Sequence, residues 1–462
     1  MGSRAFLSLP AAFAAVLIPS IGLAASDADV DALRAEIAAL KNEYAARVGA
    51  LEARINQLEA SDAATPVQSA EPALPAPSPS GSASAFNPAI SVILTGNYAN
   101  LSQDPADYHI AGFMPPGEGV GPGDRNFNLG ESELTLSANV DPYFMGALTV
   151  AVTGENEIEV EEAYFRTMAL PEGFSLKGGQ FFSGFGYLNE IHAHAWEFID
   201  QPLVYQAFFG GQMAQVGLQA KWLAPTDVFL EFGAETGSGQ SFPGTRMDRN
   251  SPNGVTLFAH LGSDIGDSIA WRAGLSWVDL DAEDRSFEGE NGAEEPTLYA
   301  FTGSSRTWIV DATLKWTRPG DPQRRYLKLQ GEYMDRTEEG SLSYTSLGPT
   351  LDGSYRASQS GWYVQGVYQF LPRWRAGARY DSMDSGDPSI GLVQAGELGW
   401  ADFPLLVPAS PSRTTLMLDW SLSEFSRLRA QYAWDDARDT TTDEQFFLQY
   451  IYALGAHGAH KF

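Results

Sequence analysis

The sequence predicts an all-β protein, a transmembrane antiparallel β-barrel of about 16 strands preceded by an N-terminal coiled-coil helix. Three observations support this fold class. Beyond the N-terminal leader there is no run of about 18 apolar residues, which excludes a helical membrane span. Aromatic residues make up 12% of the 462 residues, together with 46 glycines. From residue 89 onward, segments with period-2 alternation recur between spacers of alternating length.

Residues 1–25 have the features of a secretory signal peptide. Arg4 precedes an apolar stretch over 5–18, and the small residues Gly22 and Ala24 are placed for cleavage. The chain has no cysteine, which suits an oxidising compartment. Its 58 acidic and 29 basic side chains give a formal charge of -29, which argues against a nucleic-acid partner.

Residues 27–60 show the 3-4 apolar spacing of a coiled coil with one stutter. β-Branched residues at the core positions before leucine favour a two-stranded coiled coil. However, Arg47–Glu52 and Arg54–Glu59 both resemble the R-h-x-x-h-E pattern of trimeric coiled coils. We therefore predict a periplasmic trimer, since a single solvated helix of this length is marginal in water. Residues 61–88 form a Pro/Ala/Ser linker, which we expect to be extended.

Residues 89–462 are predicted to form the barrel. An even number of strands leaves both chain ends in the periplasm, where the short turns also lie. The short spacers include 140–143, 170–173, 224–227 and 371–373, and the long ones include 102–126, 183–211, 280–300, 338–352 and 384–411.

The last residues are predicted to be the closing strand. One parity carries the outward aromatic and aliphatic residues Phe446, Leu448, Tyr450, Tyr452, Leu454 and Phe462. The terminal Phe462 resembles the signal read by the outer-membrane barrel assembly machinery. His457 and His460 fall on opposite parities, a poor arrangement for shared metal ligation within one strand.

The same parity rule predicts a charged lumen. Acids are assigned to the early strands at Glu131, Glu133, Glu157, Glu159 and Glu161. Bases are assigned to the later strands at Arg272, Lys328, Arg373, Arg375, Arg379, Arg427 and Arg429. Two such walls would set a transverse field that favours small polar solutes. The alternative is a set of ordinary polar lumen residues, some of them paired with each other.

The third long loop, 181–211, is rich in aromatic residues. If it folds into the barrel, the constriction would be lined by Glu190, His192, His194, Glu197 and Asp200. The pair His192 and His194, flanked by carboxylates, is a candidate site for Zn²⁺ or a similar divalent cation. Polar decoration of a constriction loop is the simpler alternative.

Two stretches carry a family resemblance. EEAYF (161–165) and LPEGFSLKGGQFFSGFGYLNE (170–190) resemble the phosphate-selective porin O and P superfamily and related porins with a periplasmic coiled coil. That resemblance implies a homotrimer of 16-stranded barrels. HAHAW (192–196) and GAHGAHKF (455–462) are similar to proteobacterial zinc-regulated or TonB-dependent outer-membrane receptors. Because the chain is acidic and poor in lysine, its resemblance to phosphate-selective porins does not imply phosphate selectivity. The sequence before the predicted barrel leaves no room for the plug domain of a TonB-dependent receptor.

The function predicted from these features is an outer-membrane porin of a Gram-negative bacterium. It would admit small hydrophilic solutes by passive diffusion, in contact with outer-membrane lipid and without a cofactor. The alternative is a zinc-linked uptake channel or receptor with its cation site on the third extracellular loop. No catalytic activity is expected, because His109, His192 and His194 lie in no recognisable nucleophile motif.

Overall fold

The computed structural model describes residues 88–117, 120–154, 157–320, 325–438 and 440–455. These residues form one closed antiparallel sheet. The predicted signal peptide, coiled coil and linker, as well as His457, His460 and Phe462, lie outside the described residues.

Within the described residues the sheet comprises 18 segments. One of them is a two-residue strand, Ser389–Ile390, which pairs with residues 355–356. Two others, Asn126–Leu129 and Ser132–Asn139, pair with the same neighbouring strand and count as one interrupted strand. The remainder is a 16-stranded antiparallel barrel, which confirms the barrel of the predicted fold class.

The barrel strands have the following bounds. The first eight are β1 (Ala89–Leu101), β2 (the two segments above), β3 (Phe144–Val152), β4 (Ile158–Thr167), β5 (Phe174–Phe182), β6 (Ala214–Leu223), β7 (Phe229–Gly237) and β8 (Val255–Ile265). The last eight are β9 (Ile269–Glu290), β10 (Pro296–Thr317), β11 (Tyr326–Thr345), β12 (Leu351–Leu371), β13 (Trp374–Asp384), β14 (Ser412–Ser423), β15 (Ser426–Asp436) and β16 (Asp443–Gly455). Two short helices lie in loops, α1 (Leu203–Phe209) and α2 (Gly391–Gln394).

The C-terminal strand closes the barrel. β16 pairs with β1 from Ser91 opposite Gly455 to Leu101 opposite Gln445. Its alternation follows the prediction, because the exposed positions carry Phe446, Leu448, Tyr450, Tyr452 and Leu454. Closure matters physically because an open sheet would leave edge strands with unpaired backbone groups.

The two faces of the sheet have opposite character. On β10, Trp308 and Val310 are 53% and 52% exposed on the outside, whereas Ile309 and Asp311 are buried in the lumen. The outward face of the other strands is likewise aliphatic and aromatic. An apolar outer belt around a polar interior is the arrangement of a barrel that contacts lipid.

Short turns and long loops occupy opposite ends of the barrel, as the spacing predicted. Two predicted long loops are wrong, however. Residues 280–300 and 338–352 are mainly strand, because β9 to β12 are 20 to 22 residues long and leave only 291–295 and 346–350 as loops. Alternation continues there with polar residues facing outward, and the sequence therefore resembles a loop.

The loop end of the lumen contains two apolar cores. One core surrounds α1 and includes Phe113, Phe185 and Phe208. The other forms where the extended parts of β9 to β12 meet the loop over 385–411, with Phe403 against Tyr299. Among the described residues, no helix is long and apolar enough to cross a membrane.

Candidate functional site

The third loop, residues 183–213, folds into the lumen. Its neck is closed by the Ser183 N–H, which donates to the Met213 carbonyl at 3.0 Å. The Asn189 amide donates to both of these residues' carbonyls, at 2.8 and 3.0 Å. All seven residues of α1 are buried, and Gly210, with φ 65°, ends the helix in the left-handed conformation. The loop is therefore a compact element inside the barrel.

Wall residues hold both ends of α1. At its start, the Leu203 N–H donates to the Asp381 carboxylate on β13 at 3.0 Å. At its end, Arg336 on β11 donates to the Ala207 carbonyl at 3.1 Å, and its guanidinium lies 4.3 Å from the Phe208 ring centroid. An anion at the N-terminus and a cation at the C-terminus of a helix complement its unpaired backbone groups. The wall thus fixes the position of the helix.

A buried carboxylate on β11, Glu332, gathers a second set of loop groups. It accepts the Tyr205 hydroxyl at 2.8 Å and the backbone N–H groups of Tyr187 and Leu188 at 3.3 and 3.1 Å. Tyr363 on β12 donates its hydroxyl at 2.7 Å. Burial and the adjacent carboxylate raise the pKa of Tyr205 well above its usual value. Tyr205 therefore remains a hydrogen-bond donor to Glu332.

The loop carboxylates face a wall of cations. Glu197 accepts from Arg375 at 2.7 Å and from Lys328 at 3.2 Å. Burial raises the pKa of Glu197, but these two charges outweigh burial and hold the pKa well below its usual range. Asp200 accepts from Arg379 at 2.9 Å and from Arg413 at 2.7 Å. Burial also raises the pKa of Asp200, and these arginines again lower it on balance.

The other predicted arginines separate into two groups. Arg427 and Arg429 lie in the lumen and donate to the carbonyls of His194 and Trp196, at 2.6 and 2.7 Å. Arg373 does not join them. It occupies the turn between β12 and β13 with φ 71°, is exposed, and donates to the Leu422 carbonyl. Parity fails at Arg373 because the tight turn interrupts the alternation of side chains.

Opposite the arginines, the two loop histidines contact acids of the early strands. His192 Nδ1 lies 3.3 Å from Glu133 Oε2 and 3.2 Å from Glu161 Oε2, and its Nε2 lies 3.2 Å from Glu162 Oε2. His194 Nδ1 is 2.6 Å from the other Glu133 oxygen. Burial lowers the pKa of His192, but hydrogen bonds to these carboxylates outweigh it and raise the pKa well above the usual value.

A β-bulge brings two consecutive acids to His192. The register between β3 and β4 shifts after Thr149, which pairs with Glu162, so that Glu161 is the extra residue. A bulge redirects side chains in this way. The parity rule had assigned Glu161 to the lumen and had not identified Glu162. Glu157 and Glu159 are exposed and make no contact with the histidines among the described residues.

Several lumen residues that position the loop were missed from sequence. Glu332 and Arg336 lie on the same face of their strand as Lys328, and Asp381 lies on the same face as Arg379. The alternation rule that placed Lys328 and Arg379 in the lumen therefore also placed these three residues there. Arg413 had no such signal, because it is the second residue of β14 and follows a long loop. The predicted Glu190 pairs with Lys221 on β6, at 3.0 Å.

A cavity of about 280 Å³ lies at the short-turn end, below the loop. His194, Arg375 and Arg427 line it, together with Tyr326 and residues 423–426 of the turn between β14 and β15. The loop thus separates this cavity from the loop end of the barrel. Carboxylates on one side and guanidinium groups on the other can orient water and bind small ions.

No family model matches the chain. Among solved structures, it is similar to the outer-membrane channel DcaP of Acinetobacter baumannii, with 12% identity over 79% of this chain and 96% of that one and a TM-score of 0.46. OprB of Pseudomonas putida shows 13% identity over 80% and 94%, with a TM-score of 0.47. Identities and TM-scores this low carry no inference about function.

A curated relative is much closer in sequence. A protein of uncharacterised function from Aquifex aeolicus is 34% identical over 406 residues, which span 82% of this chain and 80% of the relative. That identity extends over most of both proteins. The chain therefore belongs to the same protein family as the Aquifex aeolicus protein.

Proposed function

We propose that the chain is an outer-membrane channel that admits small hydrophilic solutes by passive diffusion past a charged constriction. The observation that carries this proposal is the third loop inside the lumen. Its carboxylates Glu197 and Asp200 pair with the cationic wall, and its histidines meet the acidic wall. A solute passing the loop would cross the field between these walls.

The apolar outer belt supports a lipid-facing barrel, because exposed aliphatic and aromatic residues on this scale are a liability in water. In bacterial barrels the short turns face the periplasm. With that orientation the 280 Å³ cavity opens toward the periplasm and the third loop is extracellular in origin. The signal peptide over 1–25, the periplasmic coiled coil over 27–60 and the linker over 61–88 belong to the same proposal, as does recognition of Phe462 by the assembly machinery.

The channel is tested by single-channel recording on the purified full-length protein in planar bilayers. We expect stable conductance in groups of three equal steps, as the proposed trimer requires. Reversal potentials under a salt gradient report the sign of the selectivity. An absence of conductance in well-folded protein would overturn the channel, and single steps only would overturn the trimer.

A second candidate, zinc-linked uptake, is favoured by one observation. Single ligand atoms from Glu133, Glu161 and His192 all lie within 4.8 Å of one another. Proteoliposomes that contain a fluorescent zinc indicator separate the candidates. Saturable Zn²⁺ entry that outpaces Mg²⁺ favours the uptake channel, whereas equal entry of both ions favours passive diffusion.

A further inference from the structure

We propose that Glu133, Glu161 and His192 form a Zn²⁺ site that fastens the third loop to the barrel wall and thereby regulates passage through the lumen. Its effect on passage rests on the proposed channel function, whereas the binding of the cation does not. The two carboxylates come from β2 and β4, and the imidazole comes from the loop. A bound ion would therefore join three segments that are distant in sequence.

The two distances from His192 Nδ1 fit tetrahedral coordination, and the three ligand atoms all lie within 4.8 Å of one another. Zinc bonds of about 2.0–2.2 Å to nitrogen and oxygen place neighbouring ligand atoms roughly 3.3–3.6 Å apart. His192 Nδ1 lies 3.3 Å from Glu133 Oε2 and 3.2 Å from Glu161 Oε2. An ion could enter between these three atoms with small adjustments of the side chains. Imidazole with carboxylates is a donor set that zinc accepts.

Neighbouring groups are placed to orient the ligands. A bound ion would replace the proton on His192 Nδ1, which is released to solvent. His192 Nε2 lies 3.2 Å from Glu162 Oε2, so its N–H can donate to Glu162 while the Nδ1 lone pair binds the metal. Metal-binding histidines commonly have such a carboxylate on the second nitrogen. His194 Nδ1, at 2.6 Å from Glu133 Oε1, fixes the oxygen of Glu133 that the cation would not use.

The charge balance of the cluster is a separate observation. Three carboxylates, of Glu133, Glu161 and Glu162, lie together with two histidines, and in the described part of the chain no lysine or arginine forms an ion pair with any of them. Buried anionic oxygens are costly unless a cation compensates them. By contrast, the loop carboxylate Glu197 has two cationic partners.

Zinc binding is tested with the metal alone on the purified full-length protein, by isothermal titration and by the visible absorption of Co²⁺ as a substitute ion. We expect one ion per chain and a Co²⁺ spectrum typical of tetrahedral coordination. His192→Ala should abolish binding, and Glu162→Gln should weaken it about 10- to 100-fold because the orienting bond to His192 loses its charged acceptor. His109→Ala is the matched control, because His109 lies in the first loop and its ring nitrogen lies within hydrogen-bond distance of the Asp107 carbonyl rather than of the acidic cluster.

The wild-type protein alone can overturn the site. The site is refuted if the wild-type protein binds no zinc and shows no tetrahedral Co²⁺ spectrum. It is also refuted if His109→Ala loses as much zinc affinity as His192→Ala does. Glu162→Gln keeps side-chain volume, so it remains informative if His192→Ala does not fold.

Regulation is tested by adding Zn²⁺ during single-channel recording. We expect micromolar zinc to reduce current fluctuations and mean conductance in the wild type and in His109→Ala, but not in His192→Ala. Zinc binding without any effect on a conducting channel would overturn regulation and leave the site intact. Zinc binding in a protein that never conducts would overturn the channel function instead.

Discussion

Replacement of Asp200 by asparagine should loosen the third loop without unfolding the barrel. The Asp200 carboxylate accepts from Arg379, Arg413 and Gln431 at 2.7 to 2.9 Å. Asparagine keeps the shape but loses the charge that these arginines contact. Both arginines retain Asp381 on the wall, at 2.9 and 3.7 Å, so the substitution leaves no buried cation without an anion.

The size of the effect follows from these contacts. A hydrogen bond to a charged group contributes about 1.5–3 kcal/mol, and two such bonds are weakened. Because the asparagine carbonyl still accepts one bond, we take the lower end of their sum, about 3 kcal/mol. At about 1.4 kcal/mol per factor of ten, loop docking weakens roughly 100-fold.

Hydrogen–deuterium exchange by mass spectrometry on protein in lipid nanodiscs measures this change. Backbone N–H groups of 191–199, protected by bonds such as Ala195 to the His192 carbonyl at 2.9 Å, should exchange roughly 100-fold faster in Asp200→Asn. Strand amides should be unaffected. Asp107→Asn, an exposed acid of the first loop, is the matched control. Unchanged protection of 191–199 would refute the reasoning, and faster exchange throughout the strands would show global destabilisation instead.

Three further predictions concern charge in the lumen. Arg427→Ala should shift the reversal potential toward cation selectivity, because it removes a lumen cation that forms no ion pair among the described residues; an unshifted potential would exclude it from the conduction path. Arg336→Met should lower the free energy of unfolding by about 2–5 kcal/mol, because it leaves the Ala207 carbonyl and the Gln359 side chain without their buried donor. Denaturant titration measures this change, and a loss below about 1 kcal/mol would contradict the prediction. The pKa values of Glu197 and Asp200 are depressed in the folded protein, so their contribution to loop docking is complete above their unfolded values of about 4 and is lost as pH falls further. Current fluctuations should therefore rise when recordings move from pH 7 to below pH 4, and a rise with increasing pH instead would have the wrong sign.

The barrel was predictable because its signal is periodic. Alternation assigned the outward Trp308 and Val310 and the inward Asp311 correctly, since every barrel strand must present one face to lipid and one to the lumen. The rule fails where the backbone departs from a regular strand. Glu162 was missed because a bulge adds one residue to β4, and Arg373 was misassigned because it lies in a turn.

The contacts of the loop were less accessible to sequence reasoning. Glu190, Glu197 and Asp200 were expected to line the constriction, and the lysine or arginine with which each one pairs was not identified from sequence. The histidines meet Glu133 and the adjacent β4 acids of the wall. Partners of this kind are 30 or more residues apart, and they are set by where the loop lies in the lumen. No local pattern encodes that position.

The attachments of the loop differ in strength, and this decides which part of it can move. The α1 segment is fully buried in an apolar core and held by Glu332 and Arg336, so its release would expose apolar surface and buried charges together. The segment over 190–200 is held mainly by ion pairs and is only partly buried at His192 and His194. Low-energy openings concentrate where few apolar contacts resist them. The 190–200 segment also borders the 280 Å³ cavity through His194. Solute passage and the effect of a bound cation therefore both depend on this segment, which should exchange its backbone amides before α1 does.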